Sequence, residues 1–166
     1  MKKKIVALAL IASLLLYPTK IDAMEQDTYL SEEIQFYCYE AGELYGICPE
    51  ILMAMNEIES SGNPNAVNGY CIGLMQINYK YHWERAEKFS GYEEVTIATF
   101  FSPDLNIFIG ADYLAELLAE YGDMACTLDF YNGNSNATYN YENGIMSEYA
   151  TKVLERSAEL EKLHGK

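Results

Sequence analysis

Histidine is scarce in this 166-residue chain, with only His82 and His164 present, and neither has a partner at metal-ligand spacing. Both are expected on the surface. The scarcity argues against histidine-based zinc sites, and it leaves Ser60 and Ser61 without a nearby imidazole to activate them as nucleophiles. Basic residues are also few, 11 Lys and Arg against 25 Asp and Glu, for a formal net charge of −14. So acidic a chain disfavours nucleic acid and anionic-membrane partners, and no basic stripe or glycine-rich phosphate loop points the other way. Heptads and internal repeats are absent from the sequence, and no apolar run approaches the roughly 20 residues of a comfortable membrane span. The asparagine-rich stretch from Asn132 to Asn143 lacks the carboxylate spacing of an EF-hand loop. No metal and no cofactor are expected.

The one long apolar run, Ile5 to Leu16, follows Lys2, Lys3 and Lys4 and is broken by Tyr17-Pro18. With Ile21-Asp22-Ala23 as a cleavage site, residues 1–23 read as a signal peptide and residues 24–166 as a single domain. The protein is therefore expected to be exported, to the periplasm, the cell wall or the medium. Losing four lysines and one aspartate with that leader makes the remainder more acidic still. Cys38, Cys48, Cys71 and Cys126 are widely separated, which does not fit a zinc cluster. In an exported chain they are expected to form at least one disulfide.

What the sequence does contain is strong helix punctuation. Pro49 suits a first helical turn and Gly62 the position just past an end, with Ile51, Leu52, Met55 and Ile58 at helical spacing between them. At about 100° per residue these four fall within roughly 60° of Met55. Glu59 falls at about 40°, inside that apolar arc, and Glu57 at about 160°, almost opposite. Glu57 is thus expected in solvent and Glu59 half-buried. Burial and the negative end of the helix dipole both disfavour the Glu59 carboxylate, which suits a general acid.

Other helices are expected over Ser31 to Tyr45, His82 to Phe89, Met124 to Tyr131 and Ser147 to Leu163. Another runs from a cap at Asn106 to Tyr121, with Gly122 closing it. Asn63 to Tyr81 is the only region with β potential, and Asn132 to Gly144 reads as polar turns. The fold class is mainly α, several helices with a small irregular lobe.

At Glu59-Ser60, Asn63-Pro64-Asn65-Ala66-Val67 and Gly73-Leu74-Met75-Gln76 the sequence resembles the lytic transglycosylases of the lysozyme-like superfamily. Asn106-Ile107 with Gly110, Tyr113 and Leu114 is similar to the family's third block, Tyr131-Asn132-Gly133 to its fourth, and Tyr149 with Lys152-Val153-Leu154 to its last. The resemblance covers Leu44 to Leu154. Gln76-Ile77-Asn78 with Trp83 is closer to the small transglycosylases that accompany secretion and conjugation machines, which implies such a complex as a partner.

The resemblance implies a lysozyme-like α+β architecture with a glycan cleft, and peptidoglycan strands as substrate. It further implies Glu59 as the catalytic acid and then base, cleaving the N-acetylmuramic acid to N-acetylglucosamine bond with formation of a 1,6-anhydro ring. Ser60, Met75, Gln76, Tyr131, Asn132 and Tyr149 would contact the sugar. Two alternatives stay open at this point: a hydrolytic muramidase of the same fold, and a non-catalytic peptidoglycan-binding component of an assembly.

Overall fold

The Ser31 hydroxyl accepts a hydrogen bond from the Ile34 amide and starts the first helix, whose opening turn holds Glu32 and Glu33 where the dipole favours them. In the computed structural model, which describes residues 28–90 and 94–166, that helix is α1, Glu32–Tyr45. The expected leader lies outside the described residues. Next come α2 (Pro49–Ser60), the strands β1 (Val67–Asn68), β2 (Cys71–Ile72) and β3 (Ile77–Asn78), and α3 (Trp83–Ser90). A 3₁₀ turn (Ile97–Phe101) leads into α4 (Pro103–Tyr121), α5 (Met124–Tyr131), α6 (Ala137–Glu142) and α7 (Glu148–Leu163). Mainly helical architecture with a small β lobe is thus what the chain adopts. No described helix is long and apolar enough to cross a membrane.

Helix α2 is the central element. It packs most extensively on α7 and also on α1, and every residue from Glu50 to Glu57 is buried. This overturns the solvent position expected for Glu57. A helical wheel assumes one wet face, and a helix enclosed by neighbours has none. Glu57 instead meets Arg156 of α7 through Nε at 2.6 Å and Nη2 at 3.1 Å. It also accepts from the Thr28 hydroxyl.

The strands form an antiparallel sheet in the order β1-β2-β3, pairing Val67 with Ile72 and Cys71 with Asn78. The motif Gly73-Leu74-Met75-Gln76 is the turn between β2 and β3. Leu74 and Met75 are fully buried, so the turn is driven into the core and its backbone groups need partners there. Asn106 supplies them. Its side chain accepts from the Met75 amide at 2.8 Å and donates to the Ile72 carbonyl at 2.9 Å and the Phe100 carbonyl at 2.8 Å. Asn106 therefore does not cap α4. The helix begins at Pro103, a turn earlier, because proline fits a first turn, and Asn106 is enclosed within it.

Two motif glycines keep this junction close. A Cβ on Gly73, whose φ is +79°, would lie 2.4 Å from Asn106 Nδ2, and one on Gly110 would lie 2.5 Å from Met75 Sδ. Elsewhere the expected polar turns of Asn132 to Gly144 contain α6. The expected disulfide is also missing, since all four cysteines are free thiols. Cys38 is buried against Asn56, and the Cys48 thiol donates to Glu50 at 2.9 Å, so each already has a polar partner of its own.

Candidate active site

Glu59 stands in the last turn of α2, after which Ser61 takes a left-handed conformation, φ 55°, and turns the chain toward the sheet. Its carboxylate is half-buried, as expected, and accepts a hydrogen bond from the Tyr149 hydroxyl at 2.5 Å. Tyr149 comes from the first turn of α7, which Ser147 starts by accepting from the Ala150 amide. Burial raises the Glu59 pKa above the ordinary carboxylate range, and the Tyr149 hydrogen bond opposes that rise. Burial and the Glu59 charge push the Tyr149 phenol up in turn, so it stays a donor.

A cleft of about 320 Å³ opens alongside. One wall is the sheet, with Cys71, Gln76, Ile77 and Asn78. The opposite wall is the end of α5, with Tyr131, Asn132 and Gly133, and Tyr113 of α4. Tyr81 and His82 also line it. Glu59 itself does not line this space, but its charge acts on two groups that do. Burial first, and then the Glu59 charge, raise both the Tyr131 phenol and the Cys71 thiol, so each keeps its proton.

The expected contact residues take up different roles. Tyr131 donates to the Met75 carbonyl at 2.9 Å, which ties α5 to the β2-β3 turn. Met75 is fully buried, so what it brings to the site is main chain rather than its side chain. Gln76 has a left-handed backbone, φ 47°, and its amide donates back to the Gly73 carbonyl at 2.9 Å. A non-glycine residue in that conformation is strained, and such strain gathers at functional sites. Asn132 is the exposed C-cap of α5 on the cleft wall. Ser60 does not reach the cleft wall; it donates to the Asn56 carbonyl at 3.0 Å.

His82 departs from the expected surface position. It is half-buried on Tyr113, with ring centroids 4.5 Å apart, and Tyr113 continues to Tyr131 at 5.5 Å. Burial first and Arg85 second lower the His82 pKa to about 4, so the imidazole is neutral at neutral pH. His164 is not a surface residue either; its ring is buried and lies 2.9 Å from Glu50.

No cleft-lining residue is a carboxylate. Asp112 is engaged by Arg85 and by Lys88 at 3.3 Å, and Asp104 accepts from the Ser102 hydroxyl. A half-buried acid whose charge reaches the Tyr131 and Cys71 of an adjacent tyrosine-lined groove is the chemical content of the site.

Residues 36–153 match the family described as the transglycosylase SLT domain. The chain belongs to the SLT-domain transglycosylase family. It is similar to proteins named endo-type membrane-bound lytic murein transglycosylase A from Salmonella typhimurium, Salmonella enteritidis and Salmonella paratyphi B. Each is 32% identical over 127 residues, covering 75% of this chain and 62% of the relative. The chain thus spans 62% of the length of those relatives.

Within this SLT domain, Gln76, Tyr131 and Asn132 are the expected site residues that line the cleft, and Cys71, Tyr81, His82 and Phe130 line it from outside the motifs read in the sequence. Tyr81 and His82 lie in the turn between β3 and α3, where their amides donate to the Asn78 carbonyl.

Proposed function

We propose that the chain is a peptidoglycan lytic transglycosylase in which Glu59 serves first as acid and then as base. Protonated Glu59 gives its proton to the oxygen between N-acetylmuramic acid and N-acetylglucosamine, and the C1–O bond breaks. The muramyl O6 then bonds to C1 and passes its proton to the Glu59 carboxylate. The enzyme is restored, and no water is consumed. Ordinary glycosidases use two carboxylates, one as acid and one as base or nucleophile. The observation that carries this reading is that Glu59 is half-buried and held by Tyr149 beside the cleft, whereas the other acids near it are already engaged, Asp112 and Glu116 by Arg85 and Asp104 by Ser102. A substrate that supplies its own hydroxyl needs no second carboxylate.

Tyr149 steadies Glu59 in both protonation states, accepting from the acid or donating to the carboxylate. Tyr131 holds the Met75 carbonyl, and Gln76 and Asn132 present amides to the sugar. The aromatic wall of Tyr131 and Tyr113 offers faces for sugar rings. The signal peptide read from residues 1–23 would deliver the enzyme to the wall, and the Gln-Ile-Asn variant supports service to a secretion or conjugation complex.

The test is digestion of purified peptidoglycan followed by mass analysis. Products should end in 1,6-anhydro-N-acetylmuramic acid, lighter by one water than the reducing ends that hydrolysis leaves. Glu59→Gln should abolish release, a loss of at least about 10³-fold if proton transfer and its positioning act together. Reducing-end products would establish the muramidase alternative, and unchanged activity in Glu59→Gln would remove the assignment.

A further inference from the structure

Helix α2 is tied to α7 by side chains at successive levels. Where α2 starts, Glu50 holds His164 and Lys166, which follow the end of α7. Where α2 ends, Glu59 accepts from Tyr149 in the first turn of α7. The two helices therefore run antiparallel. Between those levels the Arg156 guanidinium meets the Glu57 carboxylate as a fork, Nε donating to Oε2 at 2.6 Å and Nη2 to Oε1 at 3.1 Å. Thr28 also donates to Glu57 Oε1, and the Tyr29 hydroxyl donates to the Glu57 backbone carbonyl at 3.1 Å.

At about 100° per residue, Tyr149 and Arg156 fall within roughly 20° of each other on α7. The fully buried Val153 lies on the same side of that helix. Glu57 and Glu59 are instead about 160° apart around α2. One face of α7 thus grips α2 on two opposite flanks. Along the helix axes the two glutamates are about 3 Å apart and their partners about 10 Å, a difference that the long arginine stem spans. A single contact leaves a helix free to roll about its axis, but contacts on opposite flanks do not. Any roll that carries Glu59 away from Tyr149 strains the fork at Glu57. That fork is a firm restraint, because it is bidentate, charge-assisted and nearly dry, with the Glu57 side chain only 5% exposed.

We propose that Arg156 is a positioning residue for the reaction: by holding Glu57 it fixes the rotation of α2 at which Glu59 accepts from Tyr149. The proposal rests on the reading of Glu59 as the acid given above. Arg156 does not line the cleft, so it acts through other groups. The titratable groups that face Glu59 are Tyr149 from α7, Tyr131 from α5 and Cys71 from β2. Burial and the Tyr149 hydrogen bond set the Glu59 pKa, and Arg156 reaches it through the second of these, by placement rather than by charge. Stability alone is a weak reason for a buried ion pair here, since two well-packed apolar side chains often serve as well. Fixing the geometry of an acid and its donor is a use that apolar side chains do not supply.

Kinetics on purified peptidoglycan provide the test, with urea unfolding run on every variant. Glu57→Leu combined with Arg156→Leu keeps α2 packed on α7 but removes the fork. A displacement of about 1 Å can lower a rate on the order of 100-fold, so kcat should fall at least about tenfold while KM changes little. The basic limb of the pH profile should move upward, as it does when Glu59 loses the Tyr149 donor. Adding Tyr149→Phe to the double variant should then lower kcat less than about twofold further, because that contact is already lost. Arg156→Lys keeps the charge and the fold but not the fork, and should show the same changes to a smaller degree. Parent kcat and parent pH profile in either variant, or losses that simply multiply when Tyr149→Phe is added, would overturn the proposal. Glu59→Gln is measured alongside. Activity retained there would remove the acid assignment itself, whereas an inactive Glu59→Gln beside an unchanged double variant would remove only the role of Arg156.

Discussion

A group that must first give a proton and later take one works best when neither form is strongly favoured near the working pH. At Glu59 burial lifts the pKa above the ordinary carboxylate range and the Tyr149 hydroxyl at 2.5 Å draws it back. Tyr149→Phe removes only the second influence. The Glu59 pKa should then rise, the acid should stay protonated to higher pH, and the basic limb of the activity profile should move upward. Because a hydrogen bond to a charged group contributes about 1.5–3 kcal/mol, kcat should fall by roughly 10- to 100-fold. A profile measured on purified peptidoglycan that keeps its basic limb in place would show that the hydroxyl does not act on Glu59. Glu59 was legible in the sequence because it shares an apolar arc with Met55 and Ile58. His82 was not, because its environment is made by Tyr113, which lies on another helix.

Helix α2 shows where periodicity stops being informative. The arc through Met55 located its deepest face, yet α7 covers the opposite side and turns Glu57 into a buried ion-pair partner of Arg156. Nothing local signals this, since the two residues are 99 positions apart. Asn106 was misread for a related reason. Asparagine is a good cap by propensity, but the buried β2-β3 turn has amide and carbonyl groups to satisfy, and that need decides where it sits. The Glu57 pair gives a prediction at this scale. Arg156→Ala leaves a buried carboxylate whose remaining side-chain hydrogen bond among the described residues is from the Thr28 hydroxyl, and should lower stability by about 3 kcal/mol in urea unfolding. Replacing both residues with leucine should recover much of that loss, because the desolvation of two charges disappears with them. A change below about 1 kcal/mol for Arg156→Ala would mean that packing alone holds α2 to α7.

Across the molecule, acidic residues outnumber basic ones 25 to 11, so each cation placed on a buried acid shapes how the whole chain responds to pH. Glu50, fully buried at the start of α2, is the clearest case. Burial opposes its charge, but hydrogen bonds from the Cys48 thiol, Lys166 and His164 together outweigh that and hold its pKa at about 2. His164 Nδ1 and Lys166 Nζ lie 2.9 Å and 2.8 Å from its carboxylate oxygens, 114 and 116 residues away in sequence. The ends of α2 and α7 are legible from Pro49, Gly62 and Ser147, but this closure is not, because it needs both helices in place first. The folded-state pKa is depressed, so the cluster stabilises the fold at and above the usual unfolded value, near 4.3. That contribution should fade as pH falls from there toward about 2, a loss on the order of 2–3 kcal/mol. Glu50→Gln starts less stable at neutral pH, because Lys166 loses its anion. Its urea midpoint should nevertheless fall less steeply than that of the parent chain between pH 4.5 and 2.5. Parallel curves for the two proteins would place the acid sensitivity elsewhere, in the other carboxylates that give the chain its charge.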